Sequence, residues 1–139
     1  MRGQFAVAPP DAIFAVQHAG WNEIEYSPQM QRRWRWTTGR AMTFVNSGGR
    51  DVTLIVAGES PLETFDVAPR VTIRAGGEVL ATASPETDFE LTLSVPAATL
   101  QAADGMIAIE TDKTFIPHDR SGSPDMRTLG LRIFRFEVR

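Results

Sequence analysis

Apolar and polar residues alternate along several short segments of this chain, and no other feature restricts its possible folds as strongly. In segment 89–95 every second residue is apolar and the residues between are polar. Such a period of two places the apolar side chains on one face of a half-buried β-strand. Segment 71–74 follows the same pattern, and segment 79–82 follows it after Gly76-Gly77, which predicts a tight hairpin between the two.

Further strands are predicted along the rest of the chain. Loop 46–51 separates segments 41–45 and 52–57, and we expect a second hairpin there. Segment 52–57 is apolar on both faces, as is typical of a central strand. In segment 131–138 apolar residues occur on both faces, so either both faces are covered or a bulge shifts the register near Ile133-Phe134. The remaining strands are predicted at 13–17 and 106–111, and one short helical turn is predicted at 96–101.

Eight or nine short strands with closely spaced turns favour an all-β fold over an α/β fold. The predicted architecture is an antiparallel two-sheet β-sandwich, most simply a galactose-binding-like jelly roll, with at most one short helix. The 139 residues are enough for one domain with its own core. We expect that domain to span 1–139, with residues 1–10 as a loose lead-in.

The composition restricts the classes of function. There is no cysteine, which excludes disulfides, thiolate metal ligands and cysteine nucleophiles. The net charge of −3 argues against a nucleic-acid binder that relies on bulk electrostatics. No apolar stretch approaches the length of a membrane span, so we expect none. The compartment stays open between the cytoplasm and the cell envelope.

All three tryptophans lie close together, at Trp21, Trp34 and Trp36. On a strand, Trp34 and Trp36 point to one face, and Arg33 and Arg35 point to the other. One interpretation is an aromatic platform, because a tryptophan ring stacks on the apolar face of a sugar while nearby polar groups bind its hydroxyls.

The other interpretation is that the tryptophans are buried and the arginines are solvated or paired with nearby glutamates such as Glu25. Trp21 is the stronger candidate for a core residue, because it lies between a glycine and an acidic stretch. Stacking on a nucleic acid is a third and weaker reading of aromatics interleaved with arginine.

Catalytic motifs are sparse. His18 and His118 are a hundred residues apart, and no spacing typical of a metalloprotease or a serine hydrolase occurs. We therefore expect no enzymatic activity and no cofactor, and a hydrolase built on the His118-Asp119 loop is the alternative. A Ca²⁺ site formed by Asp112, Asp119 and Asp125 is a further alternative, although no calcium-loop spacing supports it.

The segment before the last strand contains several charged and flexible residues. We expect this loop to be tied at its exit by an ion pair of Arg127 with Asp125 or with Asp119. Gly130 then allows the backbone to enter the final strand. This arrangement is typical of a structural role.

Five short motifs occur in a familiar order over residues 19–139. They are Gly20-Trp21, Trp34-Arg35-Trp36-Thr37, Val95-Pro96-Ala97, Phe115-x-Pro117 and Asp125-x-Arg127-x-Leu129-Gly130. This order resembles the galactose-binding-like jelly-roll domains associated with bacterial cell-surface polysaccharide glycosyltransferases and mannosyltransferases. The resemblance implies a non-catalytic accessory that holds a glycan or packs on the transferase. The chain departs from that family by lacking a glycosyltransferase core and a membrane span.

The sequence therefore predicts a non-catalytic, carbohydrate-associated binding domain, an accessory to cell-envelope polysaccharide biosynthesis. The alternative is a structural or oligomerisation module without a ligand. Expected partners are a glycan, a glycosyltransferase or a second copy of the chain. The candidate ligand-binding residues are Trp34, Trp36, Arg33, Arg35, Glu25, Asp125 and Arg127.

Overall fold

A computed structural model describes residues 12–29, 31–60 and 65–139. These residues form nine strands and two short helices, and all strand pairs are antiparallel. The all-β prediction is confirmed, and the predicted lead-in at 1–10 lies outside the described residues. No helix of the described chain is both long and apolar enough to cross a bilayer. The elements are β1 (Phe14–Trp21), β2 (Glu25–Ser27), β3 (Arg32–Asn46), β4 (Val52–Glu59), β5 (Val71–Ala75), β6 (Glu78–Ala83), β7 (Asp88–Val95), α1 (Ala97–Ala102), β8 (Met106–Thr111), α2 (Pro117–Ser121) and β9 (Arg132–Val138).

The 15-residue strand β3 joins the two parts of the fold. Its C-terminal part pairs with β1 and β8, and its N-terminal part pairs with β2 and β9. The strands run in the order β6-β5-β8-β3-β9-β4-β7, and β1 and β2 also pair with β3. One continuous, nearly closed sheet results. A division into two separate sheets stays a prediction.

The expected hairpin between residues 41–45 and 52–57 is wrong. Gly48 and Gly49 do form a turn with positive φ angles of 63° and 75°. However, β4 pairs with β7 and β9 and not with β3. Both edges of β4 are thus occupied, so the loop carries the chain from one part of the sheet to the other. The prediction that this doubly apolar segment is a central strand is confirmed.

The bulge near Ile133-Phe134 is confirmed. Between β4 and β9 the register shifts so that Ala57 faces Arg135 and Gly58 faces Ile133, which leaves Phe134 as the extra residue. Gly58 permits this close approach, because a Cβ there would lie 2.5 Å from the Arg132 carbonyl oxygen. The predicted hairpin at Gly76-Gly77 also forms, between β5 and β6.

The prediction of at most one short helix is wrong. Helix α1 forms close to the expected segment, but α2 is a second helix. Pro117 occupies its first turn, where the missing N–H costs nothing, and Gly122 ends it in the left-handed conformation at φ 72°. Proline and glycine at these two positions are the sequence signal for this helix.

One apolar core joins both parts of the sheet. Its fully buried members include Leu54, Ile73, Ile109 and Leu131, from four different segments. Each such side chain contributes about 1.5–3 kcal/mol when it leaves water. This core fixes the inner face of β3 and β9, and therefore decides which residues of β3 point inward.

Candidate functional site: the two faces of β3

The N-terminal part of β3 presents two different faces. Arg35 pairs with Ile133 across the β3–β9 ladder, and Trp36 pairs with Arg132. Residues directly opposite each other on paired strands share a face. Because Ile133 belongs to the buried core, Arg35 lies on the inner face and Trp36 on the outer one. The predicted alternation of tryptophans and arginines is confirmed.

The outer face, which we call the tryptophan face, comprises Trp34 and Trp36 and the groups that cover them. Trp36 is only 7% exposed, and its ring packs edge-on against Phe115 at 5.7 Å between centroids. Phe115 packs in the same way against Phe65, at 5.8 Å. The expected open pair of stacking rings is therefore corrected: Trp36 is buried under aromatic side chains from distant parts of the chain.

Arg132 lies over the tryptophan face. Its guanidinium carbon is 5.0 Å from the Trp34 ring centroid and 4.9 Å from that of Trp36, within cation–π range. Glu59 holds the same guanidinium at 2.8 Å, and both side chains are mostly buried. The charge of Arg132 is thus compensated by a carboxylate and by two aromatic rings.

Three predicted site residues form one ion-pair network on the same face. Arg127 donates to Asp125 at 2.7 Å and to Glu25 at 3.0 Å, and Glu25 pairs with Trp34 across β2 and β3. The predicted Asp125–Arg127 pair is confirmed, whereas no such bond links Arg127 to Asp119 among the described contacts. Hydrogen bonds from the Arg127 side chain and backbone lower the pKa of Asp125 to about 2, and the bond to Asp125 raises the pKa of Arg127. This network ties the 112–130 segment to β2.

Trp21 lies on the inner face, as its prediction as a core residue required. Its indole N–H donates to the Met42 carbonyl oxygen at 3.1 Å and to Thr43 Oγ1 at 3.2 Å. Its ring packs edge-on against Phe136 at 6.3 Å. Trp21 is nevertheless only half-buried, because one edge of the ring opens onto a surface groove.

Two adjoining grooves lie beside the N-terminal part of β3. Groove A has a volume of about 150 Å³ and groove B of about 660 Å³. Groove B falls within the range of about 300–1,000 Å³ that is typical of small-molecule sites. Arg33, Phe134 and Arg135 line both grooves, so the two lie next to each other. Groove A is further lined by Gln17, Trp21, Ile24, Trp34, Arg35, Ile133 and Phe136. Groove B is further lined by Gln31, Arg32, Ala57, Gly58, Asp88, Phe89 and Glu90.

Two of the three arginines that line groove B, Arg32 and Arg135, are compensated. The Arg32 guanidinium lies 3.9 Å from the Phe134 ring centroid and 3.8 Å from Asp88. Arg135 donates to Glu137 at 2.8 Å and lies 3.7 Å from Glu90. Bonding to Glu137 raises the pKa of Arg135, and bonding to Arg135 lowers the pKa of Glu137. Groove B therefore carries charges of both signs.

Groove A is different, because no acidic residue of the described chain lines it. Neither Arg33 nor Arg35 has a side-chain hydrogen bond or ion pair within the described part of the chain. The Nε atom of Arg35 is buried and has no hydrogen-bond partner. Groove A thus combines aromatic walls with two uncompensated cations, an arrangement that can bind a polar or anionic ligand.

The structure divides the seven predicted site residues between these places. Arg33, Arg35 and Trp34 line groove A, whereas Trp36 and the ion-pair network lie on the tryptophan face. Sequence reasoning missed the groove residues Ile24, Phe134 and Phe136. The switch of apolar residues between the faces of segment 131–138 is the signal that marks Phe134.

The structure gives less support to the two alternative sites, the His118-Asp119 loop and the Ca²⁺ site. The His118 ring nitrogen Nδ1 lies 2.9 Å from the Ser123 carbonyl oxygen, within its own loop. In the parts of the chain that the structure describes, no three acidic or histidine side chains converge as a metal site requires. The aspartates proposed for Ca²⁺ are therefore not brought together.

The fold and grooves define a class of protein: an all-β domain with an aromatic, arginine-lined groove beside a bulged strand. No family model, no curated protein and no solved structure matches the chain significantly. The inference of function consequently rests on the geometry of the site.

Proposed function

We propose that this domain is a non-catalytic carbohydrate-binding module whose ligand lies in grooves A and B. A sugar ring offers an apolar C–H face and a rim of hydroxyls. Trp21 and Phe134 supply half-buried aromatic surface, and Arg33, Arg35 and Gln17 supply hydrogen-bonding groups beside them. The observation that carries the proposal is this pairing of aromatic walls with unbonded polar groups in one groove.

The proposal relocates the sugar from an open Trp34–Trp36 platform to groove A, which Trp34 lines together with Arg33 and Arg35. Arg33 and Arg35 keep the role that the sequence suggested for them. Trp36 is assigned to support, since its ring is covered by Phe115 and Arg132. Trp21 takes the place of Trp36 as the aromatic contact.

We extend the proposal to the arrangement of the sheet in layers and to the biological role of the domain. The pairing of β3 with β8 at one end and β9 at the other supports a two-layer jelly roll with β3 shared between the layers. An accessory role beside a polysaccharide-synthesising glycosyltransferase rests on the resemblance of sequence motifs alone.

A blocking substitution in groove A tests the binding site. Ile24 lines groove A and is 59% exposed, so Ile24→Asp changes the groove without emptying the core. Val67→Asp is the matched control, because Val67 is 66% exposed and lines neither groove.

We expect hits on a glycan array with the wild-type chain and with Val67→Asp, and loss of those hits with Ile24→Asp. Isothermal titration with the strongest hit would then give the affinities. An array without hits, or equal binding by Ile24→Asp, would contradict the proposal.

A second candidate function is self-association through the β1–β2 edge. Among the described residues, β1 and β2 each pair only with β3, and this arm carries the exposed apolar side chains Val16, Ile24 and Tyr26. Exposed strand edges with apolar side chains favour pairing with another chain. Sedimentation velocity would reveal a concentration-dependent dimer that Tyr26→Asp dissociates, whereas a monomer at all concentrations would exclude this function.

A further inference from the structure

The arginines of this domain separate into compensated and uncompensated groups. Within the described residues, five arginines are partly buried. Four of them form ion pairs: Arg74 with Glu110, Arg127 with Asp125, Arg132 with Glu59 and Arg135 with Glu137. Arg35 is the exception, since no ion pair or side-chain hydrogen bond involves it within that part of the chain.

The environment of Arg35 makes this exception costly. Its Nε is buried without a hydrogen-bond partner, as is that of Arg132, but Arg132 has the Glu59 carboxylate as a counterion, whereas Arg35 has none among the described residues and faces Ile133 of the core. A buried donor that lacks an acceptor destabilises a fold, and a charged donor does so more strongly. The chain has 17 aspartates and glutamates against 14 lysines and arginines, yet none of the acids that the structure describes lines groove A.

A ligand can supply the missing acceptor. Arginine presents a planar fork of donors that matches the two oxygens of a carboxylate or phosphate. Arg33 lines the same groove and also lacks an acidic partner within the described residues, so the groove is lined by two arginines without a described counterion. The volume of groove A, about 150 Å³, suits one acidic group with part of a ring, and groove B lies directly beside it.

We infer that groove A selects saccharides that carry an acidic group, a carboxylate or a phosphate, which Arg35 and Arg33 bind. This inference rests on the proposed function and names its ligand class. The acidic group lies against Arg35, and the ring contacts Trp21 and Phe134. Neutral saccharides bind with the same aromatic contacts but without the charged one.

Three probes that differ only at carbon 6 test the inference: glucose, glucuronate and glucose 6-phosphate. Each is titrated into the ¹⁵N-labelled full chain, and amide, indole and arginine Nε–H shifts are followed by NMR. We expect glucuronate or glucose 6-phosphate to bind at least about tenfold more tightly than glucose, with shifts at Trp21 and Arg35. The tighter of the two acids assigns the carboxylate or the phosphate.

Charge-neutral variants separate the site from a general charge effect. Arg35→Gln is expected to weaken binding of the preferred acid about tenfold and to leave the glucose affinity unchanged. Arg33→Gln should act in the same direction with a smaller effect, because Arg33 is exposed. Arg120→Gln is the control, since it makes the same change of net charge on α2 and lines neither groove.

The outcomes distinguish this inference from the proposed function. Equal affinity for glucose and both acids, with no effect of Arg35→Gln, would overturn the inference and leave carbohydrate binding intact. An equal loss in Arg120→Gln would also overturn it, because bulk charge would then explain the preference. Absence of shifts with every saccharide probe would overturn both.

Discussion

Arg132 and Arg35 lie one ladder position apart on opposite faces of β3 and β9, and their surroundings differ completely. Arg132 has the Glu59 carboxylate at 2.8 Å and two tryptophan rings at about 5 Å. Among the described residues, Arg35 has neither a carboxylate nor an aromatic ring within such contact, although the Nε atoms of both arginines are buried without a hydrogen-bond partner. An arginine with a counterion, like Arg132, stabilises a fold, whereas a partly buried arginine without one, like Arg35, is typical of a binding site.

Trp36 and Trp21 differ in a similar way, because one ring is enclosed and the other lines a groove. Trp36 is enclosed by Phe115 and Arg132, so its contribution is to packing. Trp21 is hydrogen-bonded inward through its indole N–H, yet the ring also lines groove A. The same residue type thus supports the fold on one face and offers a ligand contact on the other.

The largest expected effect is that of Trp36→Ala. Removing this buried ring leaves a cavity beside Phe115, and such truncations cost about 3–5 kcal/mol of the free energy of unfolding. Urea unfolding followed by circular dichroism measures the change. Trp34→Ala, at a half-buried position of the same face, should cost less. Equal losses in the two variants would show that Trp36 is no more enclosed than Trp34.

Arg132→Met should have the second largest effect. It removes the cation–π contacts to both tryptophans and the 2.8 Å ion pair with Glu59. We expect a loss of about 1–2 kcal/mol in the free energy of unfolding. Tryptophan fluorescence should change at the same time, because Trp34 and Trp36 lose their charged neighbour. An unchanged emission spectrum and unchanged stability would argue that the tryptophan face does not depend on Arg132.

Sequence reasoning predicted the alternating faces of β3, and the reason is local. Once Trp34 and Trp36 lie on a strand, period two fixes their common face regardless of the rest of the fold. Which face is covered is decided by non-local contacts, here by Phe65 and Phe115, and no local pattern encodes that choice.

The dependence on non-local contacts also explains why the partners of β4 and groove A were not predicted. The turn at Gly48-Gly49 was correctly placed, but the partners of β4 depend on strands far along the chain. By contrast, the bulge at Phe134 was predictable, because a change of apolar face within one strand is visible in the sequence. Groove A was not predictable, since it requires the register of β3, β9 and β1 together.

The ion-pair network on the tryptophan face should appear in the acid stability of the domain. Asp125 has its pKa lowered to about 2 from the ordinary 3.8 by its bonds to Arg127. A depressed folded-state pKa gives stability that is present above the unfolded value and is lost as the pH falls through the folded value. We therefore expect this contribution to disappear between pH 3.8 and about 2.

Asp125→Asn tests that window. Asparagine does not titrate, so the variant should start less stable at neutral pH and should lack the Asp125 part of the acid loss. Urea unfolding across the acid range measures both chains, and ¹³C NMR of the carboxyl groups reads the Asp125 pKa directly. A carboxyl that titrates near 3.8 in the folded chain would mean that the network does not hold in solution.

The smallest expected change in stability, and the most discriminating, is that of Arg35→Met. Methionine keeps the apolar stem and removes a buried donor that has no acceptor, so we expect a result between no change and a gain of about 1 kcal/mol. The sign would then be opposite to that of Arg132→Met, although both variants replace a partly buried arginine beside the same strand. Thermal unfolding of both variants and of Arg33→Met, measured without ligand, makes the comparison. If Arg35→Met lost as much stability as Arg132→Met, Arg35 would stabilise the fold. The description of Arg35 as an uncompensated charge in groove A would then be wrong. If the variant gained stability and lost acidic-saccharide binding, Arg35 would be a residue that lowers the stability of the fold and is needed to bind the ligand.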